Sequence, residues 1–248
     1  MADSISLARK TILVTGASSG LGLHFAEMLS AIGAEVILAA RSISKIEEAA
    51  ARLRTAGHKA QAVEMDVTDR ASVAKALDGL ALDVVVNNAG VTADTAAIDL
   101  SEDDFDTVIA TNLKGVFNVA QAAARVMKES GGGSIVNIAS ILGLRVAGNV
   151  SAYSASKAGV VQLTKSLALE WARYGIRVNT VGFGVVETPM TETIRGEKFR
   201  DTYLSQIPLG RWGEADEVAR PVCFLLSDAA SYVTGQHLSV NGGYTIGL

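Results

Sequence analysis

The stretch Thr15-Gly16-Ala17-Ser18-Ser19-Gly20-Leu21-Gly22 lies between a short β-branched run and a longer segment of helical periodicity. Its glycines have the spacing GxxxGxG. Glycine in a strand-to-helix turn lets the backbone approach a pyrophosphate, and the next helix presents unpaired N–H groups and the positive end of its dipole. The turn therefore predicts a dinucleotide site, although such glycines can also serve backbone geometry alone.

The same alternation of short β-branched runs and helical segments continues along the whole chain, which is typical of βαβ units and a parallel sheet. Seven strands are predicted, over residues 11–15, 35–39, 60–64, 84–86, 134–138, 177–181 and 236–240. Helices are predicted over residues 21–32, 43–56, 70–80, 102–128, 153–174 and 215–227. We therefore expect an α/β fold, a doubly wound Rossmann-type sheet forming a single domain over residues 1–248. Residues 187–208 lack a clear period and carry two of the three prolines, so we expect a mobile lid there.

Composition and charge exclude several classes of protein. Of the 248 residues 49% are apolar and 19% charged, and the net charge of −4 comes with scattered Lys and Arg, so no footprint for nucleic acid or acidic lipid is present. Asp3 interrupts the N-terminus before any apolar run, and no stretch of about 18 apolar residues follows, so we expect neither a signal peptide nor a membrane span and a cytoplasmic location. The lone Cys223 excludes an intrachain disulfide, and the three histidines lack metal-ligand spacing, so we assign no metal.

Tyr153 and Lys157 are four residues apart in a helical segment, so their side chains share one face. A free phenol has a pKa near 10, and a neighbouring ammonium together with the oxidised nicotinamide of a bound dinucleotide is expected to lower it, which would make Tyr153 a usable acid and base. Taken alone, each of the two residues is an ordinary surface or interface side chain.

A set of short motifs occurs in a fixed order: the glycine-rich turn, Asn87-Asn88-Ala89-Gly90 after the fourth strand, Asn112, Ser140 after the fifth strand, and Tyr153-Ser154-Ala155-Ser156-Lys157. Together they resemble the signature of the short-chain dehydrogenase/reductase family, in its 3-oxoacyl reductase-like or carbonyl reductase-like branch. The resemblance extends over nearly the entire chain. Each motif is weak by itself, whereas their joint order and placement are specific.

The resemblance implies an oxidoreductase that transfers a hydride between NADP(H) and a ketone or secondary alcohol. Tyr153 would exchange the proton, Ser140 would orient the substrate oxygen, Lys157 would bind the nicotinamide ribose, and Asn112 would anchor a water of a proton relay. The implied cofactor residues are Gly16, Ser18, Ser19, Gly20, Leu21, Gly22, Arg41, Asp66, Val67, Asn88, Ala89, Gly90, Tyr153, Lys157, Gly184, Val186 and Thr188. The implied substrate residues are Ser140, Leu142, Val150, Tyr153, Gly184, Val185 and Met190. The family usually forms tetramers, so a homotetramer is expected.

Cofactor choice is indicated after the second strand, where NAD-preferring relatives place a carboxylate for the ribose 2′-hydroxyl. Here Ala40 takes that place and Arg41 follows, so we expect a preference for NADP(H), with NAD(H) still possible. Asp66 and Val67 resemble the family's adenine-binding pair, although Asp66 alone could be a turn former.

The chain departs from the family pattern after the sixth strand, where Phe183 replaces the usual proline and Asn241 stands for an aspartate further on. We expect Phe183 to alter cofactor affinity or pocket shape, and Gly182 to relieve crowding from its ring. The departure also leaves open a dinucleotide-binding regulatory protein with weak turnover.

The predicted substrate wall is mostly apolar, over residues 141–150 and 185–190 and the lid, which favours a lipophilic or aryl carbonyl compound. Arg145 stands within it, either at the surface or facing an anionic substrate, so a 3-oxoacyl thioester reductase is the alternative.

Overall fold

The computed structural model describes residues 5–188 and 191–246. Within them, seven parallel strands form one sheet in the order β3-β2-β1-β4-β5-β6-β7. The strands are β1 Thr11–Thr15, β2 Glu35–Ala40, β3 Ala60–Glu64, β4 Val84–Asn87, β5 Gly133–Ile138, β6 Ile176–Phe183 and β7 His237–Val240.

Helices connect the strands. They are α1 Gly20–Ala31, α2 Ile43–Thr55, α3 Arg70–Leu77, α4 Glu102–Ile109, α5 Gly115–Glu129, α6 Ser151–Trp171, α7 Glu192–Arg195, α8 Glu197–Leu204 and α9 Ala215–Leu226. A π-helical turn at Ala110–Lys114 joins α4 to α5, and a 3-10 turn at Ile141–Gly143 follows β5. In the described part of the chain, no helix combines the length and apolar composition that a membrane span requires.

The seven predicted strands and the Rossmann-type topology are confirmed. The helix predicted over residues 102–128 is present, with the π turn inside it. Two short helices were missed: α7 and α8 lie within residues 187–208, and helices of four and eight residues are too short for periodicity to reveal. The lid in that segment stays a prediction.

The sheet is buried on both faces because its strands are rich in Val, Ile and Leu on alternating sides. Val14 and Val36 face α1, α2 and α9, where Phe25 is 1% exposed. Leu13 and Val85 face the opposite layer of α3, α5 and α6. Every central strand thus contributes to two apolar clusters, which hold the sheet and its strand ends in fixed positions.

The order of the strands reverses between β1 and β4, because β1 pairs with β2 on one side and with β4 on the other. Crossovers to either side of this point place helices on opposite faces, so the loops at the carboxyl ends of β1 and β4 separate. In doubly wound sheets such a switch point opens a crevice that binds ligands. The fold therefore locates the candidate site before any side chain is considered.

Phe25 joins α1 to the sheet, and its ring lies 6.2 Å from the ring of Phe183 at the end of β6. We expect Phe25→Ala to lower the free energy of unfolding by about 3–5 kcal/mol, because it leaves a cavity in the larger apolar cluster. Urea denaturation measures the loss. The control is Tyr232→Ala, whose side chain is fully exposed and whose loss is expected to stay below about 1 kcal/mol. Equal losses in the two variants would contradict this assignment of the core.

Candidate active site

A cleft of about 610 Å³ follows the carboxyl ends of the strands. One end is formed by the loops after β2 and β3, the middle by the glycine-rich turn, and the other end by Ser140, Tyr153 and Lys157. The predicted cofactor residues that line it are Gly16, Ser18, Ser19, Gly20, Leu21, Arg41, Asp66, Val67, Asn88, Ala89, Gly90, Tyr153, Lys157, Gly184, Val186 and Thr188. Gly22 does not line it.

The glycines of the turn have different physical roles. Gly16 has φ +67°, and a Cβ atom there would lie 2.9 Å from Cα of Ala89. Gly20 has φ +56° and faces open space. A Cβ atom on Gly22 would lie 2.3 Å from the carbonyl oxygen of Gly16 and 2.5 Å from Nδ2 of Asn88, so Gly22 permits close packing beneath the turn. The turn is thus compact below and open toward the cleft.

The N-terminus of α1 lies at the cleft, because Ser19, Gly20 and Leu21 line it. Ser19 precedes the helix and makes no side-chain capping hydrogen bond, and the first turn holds no acidic residue. The helix dipole and the uncapped N–H groups favour an anion at this point. Together with the open space at Gly20, these features fit the pyrophosphate of a dinucleotide.

Thr15 fastens the loop after β4 to the glycine-rich turn. Its hydroxyl accepts hydrogen bonds from the backbone N–H groups of Asn88 at 3.0 Å and Ala89 at 3.1 Å. The side chain of Asn88 returns a hydrogen bond to the Thr15 carbonyl at 3.1 Å. Sequence reasoning did not assign this role to Thr15, the polar residue that ends β1 after three apolar ones.

The adenosine end of the cleft is organised around Asp66, with Arg41 exposed nearby. Burial raises the pKa of Asp66, but hydrogen bonds from the hydroxyl and N–H of Thr68 and the charge of Arg41 outweigh it, so the net pKa lies below its usual value. The Thr68 hydroxyl donates to Oδ1 at 2.7 Å. Asn118, buried on α5, donates to the carbonyl of Val67 at 2.9 Å. The roles of Thr68 and Asn118 were missed; a polar residue on the apolar face of a helix was the available signal for Asn118.

Ser140, Tyr153 and Lys157 meet at the other end of the cleft, as the family resemblance implied. The Tyr153 hydroxyl lies close enough to the Ser140 side chain for that side chain to lower the pKa of the phenol. The hydroxyl oxygen of Ser140 also accepts the N–H of Leu142 at 3.1 Å. Nζ of Lys157 lies 5.5 Å from the centre of the Tyr153 ring and donates to the carbonyl of Ile138 at 2.8 Å. An ammonium carries three donors, so two remain for other partners.

The pKa values at this end depart from one expectation. Burial raises the pKa of Tyr153, and the Ser140 side chain only partly offsets this rise. Burial lowers the pKa of Lys157 to about 8. Removal from water destabilises the charged form of both groups, so the net pKa of Tyr153 in the chain by itself lies above its usual value. The lowering expected from the ammonium together with an oxidised nicotinamide stays a prediction.

Asn112 lies in the π turn between α4 and α5 and is fully buried. Its side-chain oxygen accepts the N–H of Val91 at 2.8 Å, and its amide donates to the Val91 carbonyl at 2.8 Å and to the Ser156 hydroxyl at 3.1 Å. Ser156 in turn donates to the carbonyl of Tyr153 at 2.7 Å. Asn112 thus connects the loop after β4 to the first turns of α6. Its part in a water relay stays a prediction, and the part of Ser156 was missed.

Gly182 does not have the role that the sequence suggested beside Phe183. Phe183 ends β6 opposite Val240, is 5% exposed, and both packs on Phe25 and lines the cleft. Gly182 does not relieve crowding from that ring, because successive residues of a strand point to opposite faces. The space at Gly182 is taken instead by the ring of His237.

The predicted substrate residues are only partly brought together. Ser140, Tyr153 and Gly184 line the cleft, whereas Leu142, Val150 and Val185 are not among its lining residues and Met190 lies outside the described residues. Val185 is 8% exposed within an apolar cluster, on which Leu142 packs.

Arg145 is tied to the C-terminal segment. Its guanidinium lies 4.9 Å from the ring centre of Tyr244 and donates to the Tyr244 carbonyl at 2.5 Å. In the described residues, no group of three or more His, Cys, Asp or Glu side chains could hold a metal ion.

Comparison with known proteins identifies the family. A family model described as enoyl-(acyl carrier protein) reductase matches residues 16–245. The 3-oxoacyl-(acyl-carrier-protein) reductase of Thermotoga maritima is 42% identical, over 97% of this chain and 99% of its own length. The gluconate 5-dehydrogenase of Gluconobacter oxydans is 38% identical, over 99% of this chain and 98% of its own.

A solved structure gives the same assignment. The gluconate 5-dehydrogenase of Burkholderia cenocepacia, in complex with NADP and tartrate, matches with a TM-score of 0.96 and 36% identity over 99% of both chains. Sequence order, sheet topology and these matches agree over almost the full chain. The chain therefore belongs to the short-chain dehydrogenase/reductase family, in its 3-oxoacyl reductase-type branch.

Proposed function

We propose that this chain is an NADP(H)-dependent oxidoreductase that interconverts a ketone and a secondary alcohol. The observation that carries the proposal is that Ser140 and Tyr153 line one end of the cleft together, with the amine of Lys157 5.5 Å from the centre of the Tyr153 ring. The same cleft begins at the glycine-rich turn. The arrangement combines a proton donor, an orienting hydroxyl and a cation in one place.

The residues of the cleft fit a nicotinamide dinucleotide, which when bound supplies the hydride for reduction of the carbonyl carbon. The glycine-rich turn and α1 would hold the pyrophosphate, and the two remaining donors of Lys157 would bind ribose hydroxyls. Open space at Gly20 and the close approach of Gly16 to Ala89 support this placement. Gly184, Val186 and Thr188 line the cleft beside Phe183 and would flank the nicotinamide.

The protein's own part in the reaction is the handling of one proton. The Tyr153 hydroxyl gives its proton to the substrate oxygen as that oxygen gains negative charge. The Ser140 hydroxyl accepts the N–H of Leu142 through an oxygen lone pair. Its own O–H is not used in that bond and can be donated to the same substrate oxygen. Lys157, with a pKa lowered to about 8, is then a proton source close to neutral pH for the phenol.

Preference for NADP(H) is proposed from Arg41, which is exposed at the adenosine end and close enough to Asp66 to affect its pKa. A guanidinium binds a phosphate through charge-assisted hydrogen bonds. The solved structures of two similar proteins, a gluconate 5-dehydrogenase and a putative 2-deoxy-D-gluconate 3-dehydrogenase, contain NADP. NAD(H) remains a weaker alternative cofactor.

For the substrate we propose a lipophilic or aryl carbonyl compound, with a 3-oxoacyl thioester as the alternative. Leu144 and Val146, directly after the Ser140 turn, are 54% and 88% exposed and offer apolar surface. The thioester alternative is supported by the similarity to 3-oxoacyl-(acyl-carrier-protein) reductases. Phe183 beside the cofactor site is the feature that would favour a dinucleotide-binding protein without turnover.

Replacing Tyr153 by Phe tests the assignment of the proton donor. We expect kcat to fall by at least about 10²-fold while the Kd for NADPH is unchanged, because only the hydroxyl is removed. The assay follows NADPH oxidation with aryl ketones, keto esters and acyl thioesters. Tyr232→Phe, on the protein surface, is the matched control. Near-normal turnover of the Tyr153 variant would refute the role, and tight NADPH binding with no turnover of any carbonyl by the unaltered protein would favour the binding protein.

Replacing Arg41 by Ala tests the cofactor preference. We expect KM for NADPH to rise about tenfold or more while KM for NADH changes little, since only the 2′-phosphate loses a charged partner. The exposed Arg52 on α2 provides the control variant Arg52→Ala. Equal losses with both cofactors would show that Arg41 only stabilises its loop.

The pH dependence follows from Lys157. Its pKa of about 8 means that the charge is present below pH 8 and is lost as the pH rises through that value. The raised pKa of Tyr153 keeps the phenol protonated over the same range. We expect kcat/KM for NADPH in the reductive direction to decline above about pH 8, measured at constant ionic strength. A flat profile up to pH 10 would contradict the role of Lys157.

A further inference from the structure

Behind the backbone of Ser140, an imidazole occupies the space that a side chain at position 182 would fill. A Cβ atom on Gly182 would lie 2.6 Å from Cε1 and 2.8 Å from Nε2 of His237. The same atom would lie 3.2 Å from the carbonyl oxygen of Ser140. The first two distances are shorter than carbon contacts allow, so the ring and a side chain at residue 182 exclude each other.

The position of the ring is set by the sheet. His237 begins β7 and pairs in register with Thr180 on β6. Its Nδ1 forms a hydrogen bond of 2.7 Å with the Thr180 hydroxyl, which turns the opposite edge of the ring toward Gly182. Nε2 on that edge is buried and has no hydrogen-bond partner among the described residues. The Nδ1 edge of the ring is therefore held by a hydrogen bond, whereas the Nε2 edge makes only van der Waals contacts with described residues.

The ring is a neutral spacer at neutral pH. Burial lowers the pKa of His237, and the charge of Lys165 on α6 lowers it further. A neutral imidazole in this place contributes volume and shape, and its protonation has no part in the proposed carbonyl reduction. The ring and the Ser140 carbonyl oxygen approach the same point from different sides of the chain, since both lie within 3.2 Å of the Cβ position at residue 182.

A displacement of the Ser140 backbone is expected to move its side chain as well, because two hydrogen bonds hold the residue in a short turn. Its carbonyl accepts the N–H of Gly143 at 3.0 Å, and its hydroxyl accepts the N–H of Leu142 at 3.1 Å. A shift of the backbone at Ser140 is passed through this short turn to the hydroxyl that meets Tyr153. Misplacement by about 1 Å in such a contact can cost about 10²-fold in rate.

We propose that Gly182 and His237 form a size-matched positioning pair that fixes the distance between Ser140 and Tyr153. The inference rests on the proposed function, in which these two hydroxyls act on one substrate oxygen. The sizes of the two side chains depend on each other, because a larger residue at position 182 requires a smaller one at position 237. Neither residue is required to touch the substrate or the cofactor.

The test is a double-mutant cycle of Gly182→Ala, His237→Val and the two together, with Tyr232→Phe on the protein surface as the control. We expect Gly182→Ala to lower kcat about tenfold or more, with the Kd for NADPH within about twofold of the unaltered protein, since the cofactor contacts lie elsewhere. The double variant is expected to recover kcat to within about threefold, because removal of the ring leaves room for the new methyl group. The control is expected to match the unaltered protein in both kcat and Kd.

A second readout does not depend on turnover. The pKa of Tyr153 is measured by ultraviolet difference titration of each variant against the same variant with Tyr153→Phe. Because the Ser140 side chain lowers the pKa of Tyr153, we expect this pKa to rise when Ser140 is displaced in Gly182→Ala and to return in the double variant. If Gly182→Ala does not fold, the single variant His237→Val provides the test. We expect this variant to have a lower kcat and a raised Tyr153 pKa. If neither quantity changes, the proposal is overturned.

Several outcomes overturn the inference while leaving the proposed function intact. One is an unchanged kcat in Gly182→Ala. The other is a kcat that falls in Gly182→Ala and stays low in the double variant, although the Tm of the double variant returns to that of the unaltered protein. If the unaltered protein reduces no carbonyl compound, the proposed function fails. The phenol titration then still decides the positioning pair, and an unchanged Tyr153 pKa in Gly182→Ala would overturn it.

Discussion

The contact between Lys157 and the carbonyl of Ile138 joins the two elements on which the candidate chemistry depends. Ile138 ends β5, and Lys157 lies in the second turn of α6, 3% exposed, with its amine 2.8 Å from that carbonyl. A buried amine needs such a partner, so α6 cannot slide along the sheet without losing it. Tyr153, four residues earlier, is therefore held opposite Ser140, two residues beyond β5. The burial that creates this constraint also brings the pKa of the amine to about 8, near the range where a proton source is useful.

The other end of the cleft depends on the absence of side chains. Gly16 and Gly22 allow α1, the glycine-rich turn and the loop after β4 to approach within van der Waals contact, and Thr15 fastens that loop by two hydrogen bonds. The result is a continuous floor from the adenosine end to Ser140. A dinucleotide would span the floor, so the position of its reactive end would be set by contacts made far from the substrate.

The loop that follows Ser140 is held by parts of the chain that are remote in sequence. Tyr244 donates a hydrogen bond from its hydroxyl to Gln206 at 3.1 Å, and its carbonyl and ring hold Arg145. The loop after β5, the end of the segment after β6 and the C-terminal segment therefore form one wall. Relatives named for 3-oxoacyl thioesters and for gluconate are similarly distant from this chain, at 42% and 38% identity. A shared fold and family thus do not by themselves select the substrate.

The sequence by itself determined the sheet, the glycine-rich turn and the residues that meet at Ser140, because these features depend on short-range periodicity and on residue types at fixed spacing. It could not show that residues 187–208 contain short helices, that Val185 is buried in an apolar cluster, or that Arg145 binds Tyr244, since each depends on partners distant in the chain. The sequence also could not show the direction of the pKa shifts. The spacing of Tyr153 and Lys157 is a local feature, whereas the burial that raises the pKa of Tyr153 and lowers that of Lys157 comes from the packed tertiary structure. Gly182 shows the same division, because its neighbour in sequence is Phe183 but the ring that requires it to be glycine belongs to His237, brought there by the pairing of β6 with β7.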